Sequence, residues 1–155
     1  MDTKFEKVLY AGWRDMDYNS HMANTSYLDR AADVRMMYFA ENGFSADEML
    51  RLKIGPVVMK DEIEYFREVR LLQEIRVGFA LAGLSPDASR FTIRNEFSHV
   101  DGQKCAVVTT TGGWLDLTQR KLIAPPEALR AAMAALPKVE GFRELRSSVT
   151  IRPSG

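Results

Sequence analysis

Cysteine is almost absent from this chain. Cys105 stands alone among 155 residues, so no disulfide can form within it, and a reducing compartment is expected, with the cytoplasm as the default setting. Histidine is scarce too; two of them, His21 and His99, with one cysteine disfavour a zinc site. Neither sign of charge dominates, since 21 acidic residues balance 21 basic ones. That removes the electrostatic case for a nucleic-acid or anionic-membrane partner. No run of eighteen apolar residues occurs, and charges interrupt the N-terminal MDTKFEKVLYAGW, so neither a membrane span nor a secretory signal is expected. There is no GxGxxG or Walker-type loop for a nucleotide cofactor, and Gly112 with Gly113 reads as a strand bend or bulge.

What is present suits one globular domain, with 46% apolar and 27% charged residues. Residues 5 to 13 read as a first strand. From Asn24 the period turns helical: Tyr27, Ala31, Val34 and Tyr38 form one row, with Leu28, Ala32, Arg35 and Phe39 beside it, over about five turns. Asn24 or Thr25 can cap the start, and Asn42 with Gly43 supplies a left-handed stop. Ser45 and Glu48 have capping-box spacing for a second, short helix. Four strands in a meander are predicted next: residues 57 to 69, 75 to 81, the segment carrying Phe91, Ile93 and Phe97, and Lys104 to Trp114. Pro86, Asp87 and Ala88 form one turn, and Asp101 with Gly102 gives the strongest hairpin signal. Pro125 and Pro126 open a closing helix that runs to about Leu136. The predicted domain spans residues 1–136, and 137–155 form a tail that is partly disordered or adds an edge strand through Val149 and Ile151. This order describes an α+β fold, one long central helix wrapped by a curved antiparallel sheet of about five strands. Such a sheet leaves an edge and an apolar face uncovered, for which a homodimer is the simple remedy.

The segment RDMDYNSHMANTSY, residues 14 to 27, is the most polar part of the chain and lies between the first strand and the long helix. Asp15, Asp17, Asn19, His21 and Asn24 fall within it. Asp17, Asn19 and His21 alternate, so an extended loop would point them the same way. Singly, Asp17 reads as a cap or turn residue, Asn19 as a turn former and His21 as a loop histidine; in register together they point to a site.

With that loop placed before the long helix, the chain resembles the hotdog-fold thioesterases of the acyl-CoA and 4-hydroxybenzoyl-CoA type over roughly residues 5 to 125. The loop is also similar to that of acyl-carrier-protein thioesterases, Asp-x-Asn-x-His followed by Asn and Tyr on the helix, which falls here on Asp17, Asn19, His21, Asn24 and Tyr27. In the 4-hydroxybenzoyl-CoA branch only the aspartate and the helix tyrosine carry over, onto Asp17 and Tyr27. The carrier-protein branch also has Glu-Tyr-x-Arg-Glu-Cys on the next long strand; here Glu64, Tyr65, Phe66, Arg67, Glu68 and Val69 stand there. Val69 replaces the cysteine and Ala23 the first of two paired asparagines, departures that bear on substrate class more than on reaction type.

The resemblance implies hydrolysis of an acyl-CoA or acyl-carrier-protein thioester, with coenzyme A or the carrier as part of the substrate, no cofactor or metal of the protein's own, and a homodimer or homotetramer. Asp17 would be general base or nucleophile, and His21 would bond the thioester oxygen or orient water. Asn19 would position Asp17 or the water through its amide, and Glu68 would be a second acid or base. Backbone amides at Met22, Ala23 and Asn24 would form the oxyanion site at the helix N-terminus. The acyl group would lie between helix and sheet against side chains drawn from Tyr27, Met36, Met37, Phe39 and Val57, and Arg67, Arg70 and Arg120 would reach the phosphates of coenzyme A. Ordinary surface charge explains those arginines as well, and an ion pair with Arg67 or Arg70 explains Glu68. His99 and Cys105 read as structural. Two other functions fit the same fold: a hotdog dehydratase or hydratase, which also uses a histidine and an acid, and a non-catalytic acyl-thioester-binding module. A binder has no use for a carboxylate facing a thioester, which favours hydrolysis.

Overall fold

Helix α1 (Asn24–Glu41) forms where the apolar row demands it: Tyr27, Ala31, Val34 and Tyr38 are all buried. Its start differs from expectation, because the N-cap position is Ala23 and no side chain caps it. Its end is as expected, with Gly43 at φ +89° and the Asn42 amide donating to the Tyr38 carbonyl at 2.8 Å. Helix α2 (Ala46–Leu52) is capped by Ser45, whose hydroxyl accepts the Glu48 N–H at 3.2 Å. The structure, a computed structural model, describes residues 4–149.

The strands are β1 (Phe5–Tyr10), β2 (Ile54–Tyr65), β3 (Glu74–Leu84), β4 (Arg90–His99), β5 (Lys104–Asp116), β6 (Lys121–Ile123) and β7 (Lys138–Glu144), with α3 (Glu127–Ala134) before the last. Among the described residues the sheet therefore has seven strands rather than about five, in the order β1-β3-β4-β5-β2, with β6 on β5 and β7 on β3. Of the four strands expected in a meander, β3, β4 and β5 form one, which β6 continues. β2 crosses to the far edge and pairs with β5, from Ile54 opposite Asp116 to Tyr65 opposite Ala106. It stops at Tyr65 rather than residue 69 because the N–H groups of Phe66 and Arg67 both converge on the Cys105 carbonyl, ending the ladder. β1 likewise ends at Tyr10, before a 3-10 turn over Trp13–Asp15. The core lies between α1 and the inward face of the sheet, where Ile75, Val77, Phe79, Leu81, Phe97, Val108 and Trp114 are buried. Each such side chain contributes roughly 1.5–3 kcal/mol.

The predicted tail strand sits earlier than Val149 and Ile151. β7 runs parallel to β3, Val149 is an exposed turn residue, and Ile151 lies outside the described residues. Beyond β7 the chain is clipped to the β3–β4 turn by Asp87, whose carboxylate accepts from the hydroxyls of Ser85, Ser89 and Ser147, while the Ser89 hydroxyl accepts the Ser148 N–H at 2.9 Å. Burial pushes the Asp87 carboxyl up, but the bonds from Ser147, Ser89 and Ser85 outweigh it and hold it down at about 2. A carboxyl lowered on folding stabilises above its ordinary value near 3.8, and that contribution disappears as pH falls through about 2. After allowance for solvent screening it is worth up to about 2 kcal/mol. Asp87→Asn is expected to speed proteolytic cleavage after Glu144 about tenfold at neutral pH, read by mass spectrometry; an unchanged rate would mean that the clip does not hold the segment.

Candidate functional site

The loop before α1 is a tight fold-back, not an extended run. The Asp17 N–H donates to the His21 carbonyl at 2.9 Å, the Ser20 N–H to the Asp17 carbonyl at 3.1 Å, and Met16 pairs with Met22 across the base. Ser20 takes a left-handed conformation at φ +63°, which breaks the alternation expected of Asp17, Asn19 and His21. Instead Asp17 Oδ1 accepts the backbone N–H of Asn19 at 2.8 Å and of His21 at 3.2 Å. Asn19 thus contacts Asp17 through its backbone, and its exposed side chain makes no hydrogen bond among the described residues. Asp17 Oδ2 is likewise without a partner among them and faces outward.

The imidazole of His21 turns to the next segment, where Nε2 stands 3.0 Å from Glu68 Oε2. Glu68 belongs to the stretch after β2 that is drawn toward the loop: the Met22 N–H donates to the Val69 carbonyl at 2.8 Å, His21 pairs with Arg70, and His99 Nε2 donates to the Glu68 carbonyl at 3.0 Å. His99 is therefore structural in part, as expected, but it acts on the backbone of a site residue. Arg67, Glu68, Arg70, Gln73, His99 and Gln103 line an open cavity of about 360 Å³ beside His21. Arg120 does not join them: it follows the end of β5, whereas Arg67 bonds at Cys105, and the eleven-residue step between is roughly 35 Å of strand.

Two of the three expected oxyanion amides are already committed, Met22 to Val69 and Ala23 to the Asp15 carbonyl at 2.7 Å. The N–H groups of Asn24 and Thr25 have no acceptor among the described residues. They form the open, positive end of an uncapped eighteen-residue helix. What fixes that end is Asp15: its buried Oδ2 accepts Gly12 N–H at 2.7 Å and Arg30 Nη2 at 2.8 Å. Burial pushes this carboxyl up, but the bonds from Arg30 and Gly12 prevail and its pKa ends below the ordinary value. Tyr27 closes the floor, buried edge-on against Phe97 at 5.2 Å and Tyr65 at 5.5 Å. Its hydroxyl is pushed up to about 12, chiefly by burial, so it stays protonated at neutral pH.

Of the expected acyl wall, Met36, Met37 and Val57 are half-buried, while Phe39 is fully in the core, packed on Trp114 and Phe79. A residue missed from sequence is Arg35. Its Nε donates to Asn95 Oδ1 at 2.9 Å and its Nη2 to Thr110 Oγ1 at 2.7 Å; Thr110 in turn donates to Asp61. Burial pulls its pKa down to about 10, so it remains a cation at neutral pH. The signal was there: Arg35 sits in an apolar row of α1, and Asn95 occupies an inward position between Ile93 and Phe97.

Among the described residues no group of three or more His, Cys, Asp or Glu side chains is close enough together to hold a metal ion, and no helix is long and apolar enough to cross a membrane. No curated protein matches the sequence. Solved structures do match in fold. A Staphylococcus aureus protein determined in complex with CoA shares 17% identity at a TM-score of 0.78, covering 90% of this chain and 89% of that one. A 1,4-dihydroxy-2-naphthoyl-CoA thioesterase from Synechocystis shares 16% at 0.75, covering 85% and 96%. A DHNA-CoA thioesterase from Staphylococcus aureus shares 16% at 0.76, covering 84% and 89%. The sequence pattern of the thioesterase-like superfamily matches residues 11–133. With that match over most of its length and a hotdog-like α+β fold, the chain belongs to the thioesterase-like superfamily.

Proposed function

We propose that this protein hydrolyses an acyl thioester of coenzyme A or of an acyl carrier protein, with Asp17 as general base or nucleophile. The observation that carries the reading is the state of Asp17: one oxygen is fixed by two backbone donors and the other is uncommitted among the described residues, just before a helix start where two N–H groups are likewise without an acceptor among them. As base, Asp17 takes a proton from water while the water oxygen attacks the carbonyl carbon. The Asn24 and Thr25 amides meet the developing oxyanion; collapse breaks the C–S bond, and the departing thiolate takes the proton held by Asp17 and leaves as the thiol. His21, oriented by Glu68, orients the water or bonds the carbonyl oxygen. Arg67 and Arg70 line the cavity beside His21, where the phosphates of a coenzyme A carrier would be met. The reading extends to a homodimer, or a tetramer of such dimers, because β2 is a twelve-residue edge that no other strand among the described residues covers, with Val58, Met59, Tyr65 and Phe66 exposed along and just beyond it.

Thiol release from a panel of short, long and aromatic acyl-CoA and acyl-carrier thioesters tests it. Asp17→Asn keeps an acceptor for the loop amides and removes the charge, so the fold is expected to hold while kcat/KM falls at least a hundredfold, about 2.7 kcal/mol. A variant as active as wild type removes Asp17 from the chemistry. The His21–Glu68 pair gives one specific reason for a second reading, a hydratase or dehydratase. Enoyl and hydroxyacyl thioesters in the same panel decide between them, since their interconversion releases no thiol.

A further inference from the structure

Three rows of side chains face α1 across β4, β5 and β2: Phe97, Ala106 and Tyr65; then Asn95, Val108 and Ile63; then Ile93, Thr110 and Asp61. Successive rows lie about 7 Å apart. Tyr27 covers the first, and Arg35, two turns further along the helix, reaches the second and third. Tyr65 and Asp61 are exposed and Ile63 half-buried, so in the single chain α1 leaves the inward face of β2 uncovered, a groove that runs away from the Asp17 loop. Its mouth is aromatic, and a guanidinium stands deeper in.

That guanidinium keeps one nitrogen open, although the Asp61 carboxylate, bonded to the Thr110 hydroxyl, stands near enough to favour its charge. Asn95 and Thr110 fix Nε and Nη2 through neutral oxygens, Nη1 donates to nothing among the described residues, and Arg35 forms no ion pair among them. An arginine kept this way costs stability relative to an apolar side chain of similar volume. A methyl-terminated acyl chain laid over it would remove its remaining water and return nothing. An oxygen acceptor would complete it. We propose, on the thioesterase reading above, that Arg35, presented by Asn95 and Thr110, selects acyl groups that carry an oxygen acceptor, as a carboxylate or a phenolic hydroxyl, about 10 Å from the thioester carbonyl. That reach follows from eleven helical steps between Asn24 and Arg35, less the lean of the side chain back by about one turn.

The test is kcat/KM on matched acyl-CoA pairs of equal length, carboxyl-terminated against methyl-terminated and hydroxyaryl against aryl. Wild type is expected to favour the oxygen-bearing member at least tenfold in one pair, and the larger ratio names the source of the oxygen. Arg35→Met, which fills the same volume, is expected to level or invert that ratio, with Arg35→Lys intermediate. A wild-type preference for the plain member of both pairs overturns the proposal, and it does so whether or not the variant folds. So does an Arg35→Met protein of unchanged selectivity, including one whose only change is in oligomeric state by light scattering. If wild type cleaves no thioester, the hydrolytic reading fails by itself. The same pairs as uncleavable thioethers then decide by calorimetry: tenfold tighter binding of an oxygen-bearing member upholds the selection, and equal or absent binding ends it.

Discussion

Asp15→Ala is expected to lower the free energy of unfolding by about 3 kcal/mol, at the lower end of the range for breaking a buried charge pair. The Asp15 side chain is 8% exposed and that of Arg30 29%, so the cation left behind keeps only its longer 3.6 Å contact with Asp33 and limited access to water. Gly12 loses its acceptor as well. Guanidinium denaturation followed by tryptophan fluorescence reads the change as a shift in midpoint at constant slope. The acid limb gives an independent reading. Because the Asp15 carboxyl is lowered on folding, its contribution is present above its ordinary value near 3.8 and lost as pH falls through the folded value. The variant should therefore lose less stability than wild type below about pH 4. Equal acid limbs and a midpoint shift under 1 kcal/mol would show the pair to be incidental. A double variant with Arg30→Met should recover part of the loss, since it removes the charge that has lost its closest partner.

Gly112→Ala should be at least as damaging, costing about 3 kcal/mol or more through overlap alone. A Cβ at that position would lie 2.2 Å from the Val57 carbonyl oxygen and 3.1 Å from two atoms of the Phe91 ring. Neither neighbour is free to yield: Val57 is paired to β5, and Phe91 is buried against Trp114. Gly102→Ala is the control, for Gly102 has φ +93° and a Cβ there would meet nothing within 4 Å among the described residues, so it should cost only about 1 kcal/mol of backbone strain. Thermal unfolding of the two variants side by side separates them; similar melting temperatures would show that β2 can retreat from β5 at little cost.

The sequence made α1 and the hairpin at Gly102 readable because their signals are local: a helical row, and a residue free to take positive φ. The place of β2 is not local. Nothing in its twelve residues says that it skips β3 and pairs with β5, a choice made by the crossover through α1 and α2. The loop register misled for a similar reason, since serine at φ +63° is uncommon and Ser20 gave no warning that it would reverse the chain. Asp17, Asn19, His21 and Glu68 do gather at one end of α1, through the Asp17 carboxylate on the loop amides and the His21–Glu68 contact, but what brings Glu68 there is the backbone pairing of Met22 with Val69 and of His21 with Arg70, which residue identity does not encode. β7 was hidden by Gly141, whose φ of +86° interrupts a segment too short to show alternation.

The bonds of Arg35 to Asn95 and Thr110 join residues 60 and 75 positions apart in the chain. They can form only once α1, β4 and β5 have met, so they reward late, non-local assembly rather than early collapse. They also act as a key for alignment. Were β4 to slide one residue against its neighbours, Arg94 and Glu96 would turn inward and Asn95 outward, leaving two charges in the core and the helix cation without its amide. Such a misaligned sheet has no low-energy home, and a single polar position thereby excludes a whole class of misfolded chains.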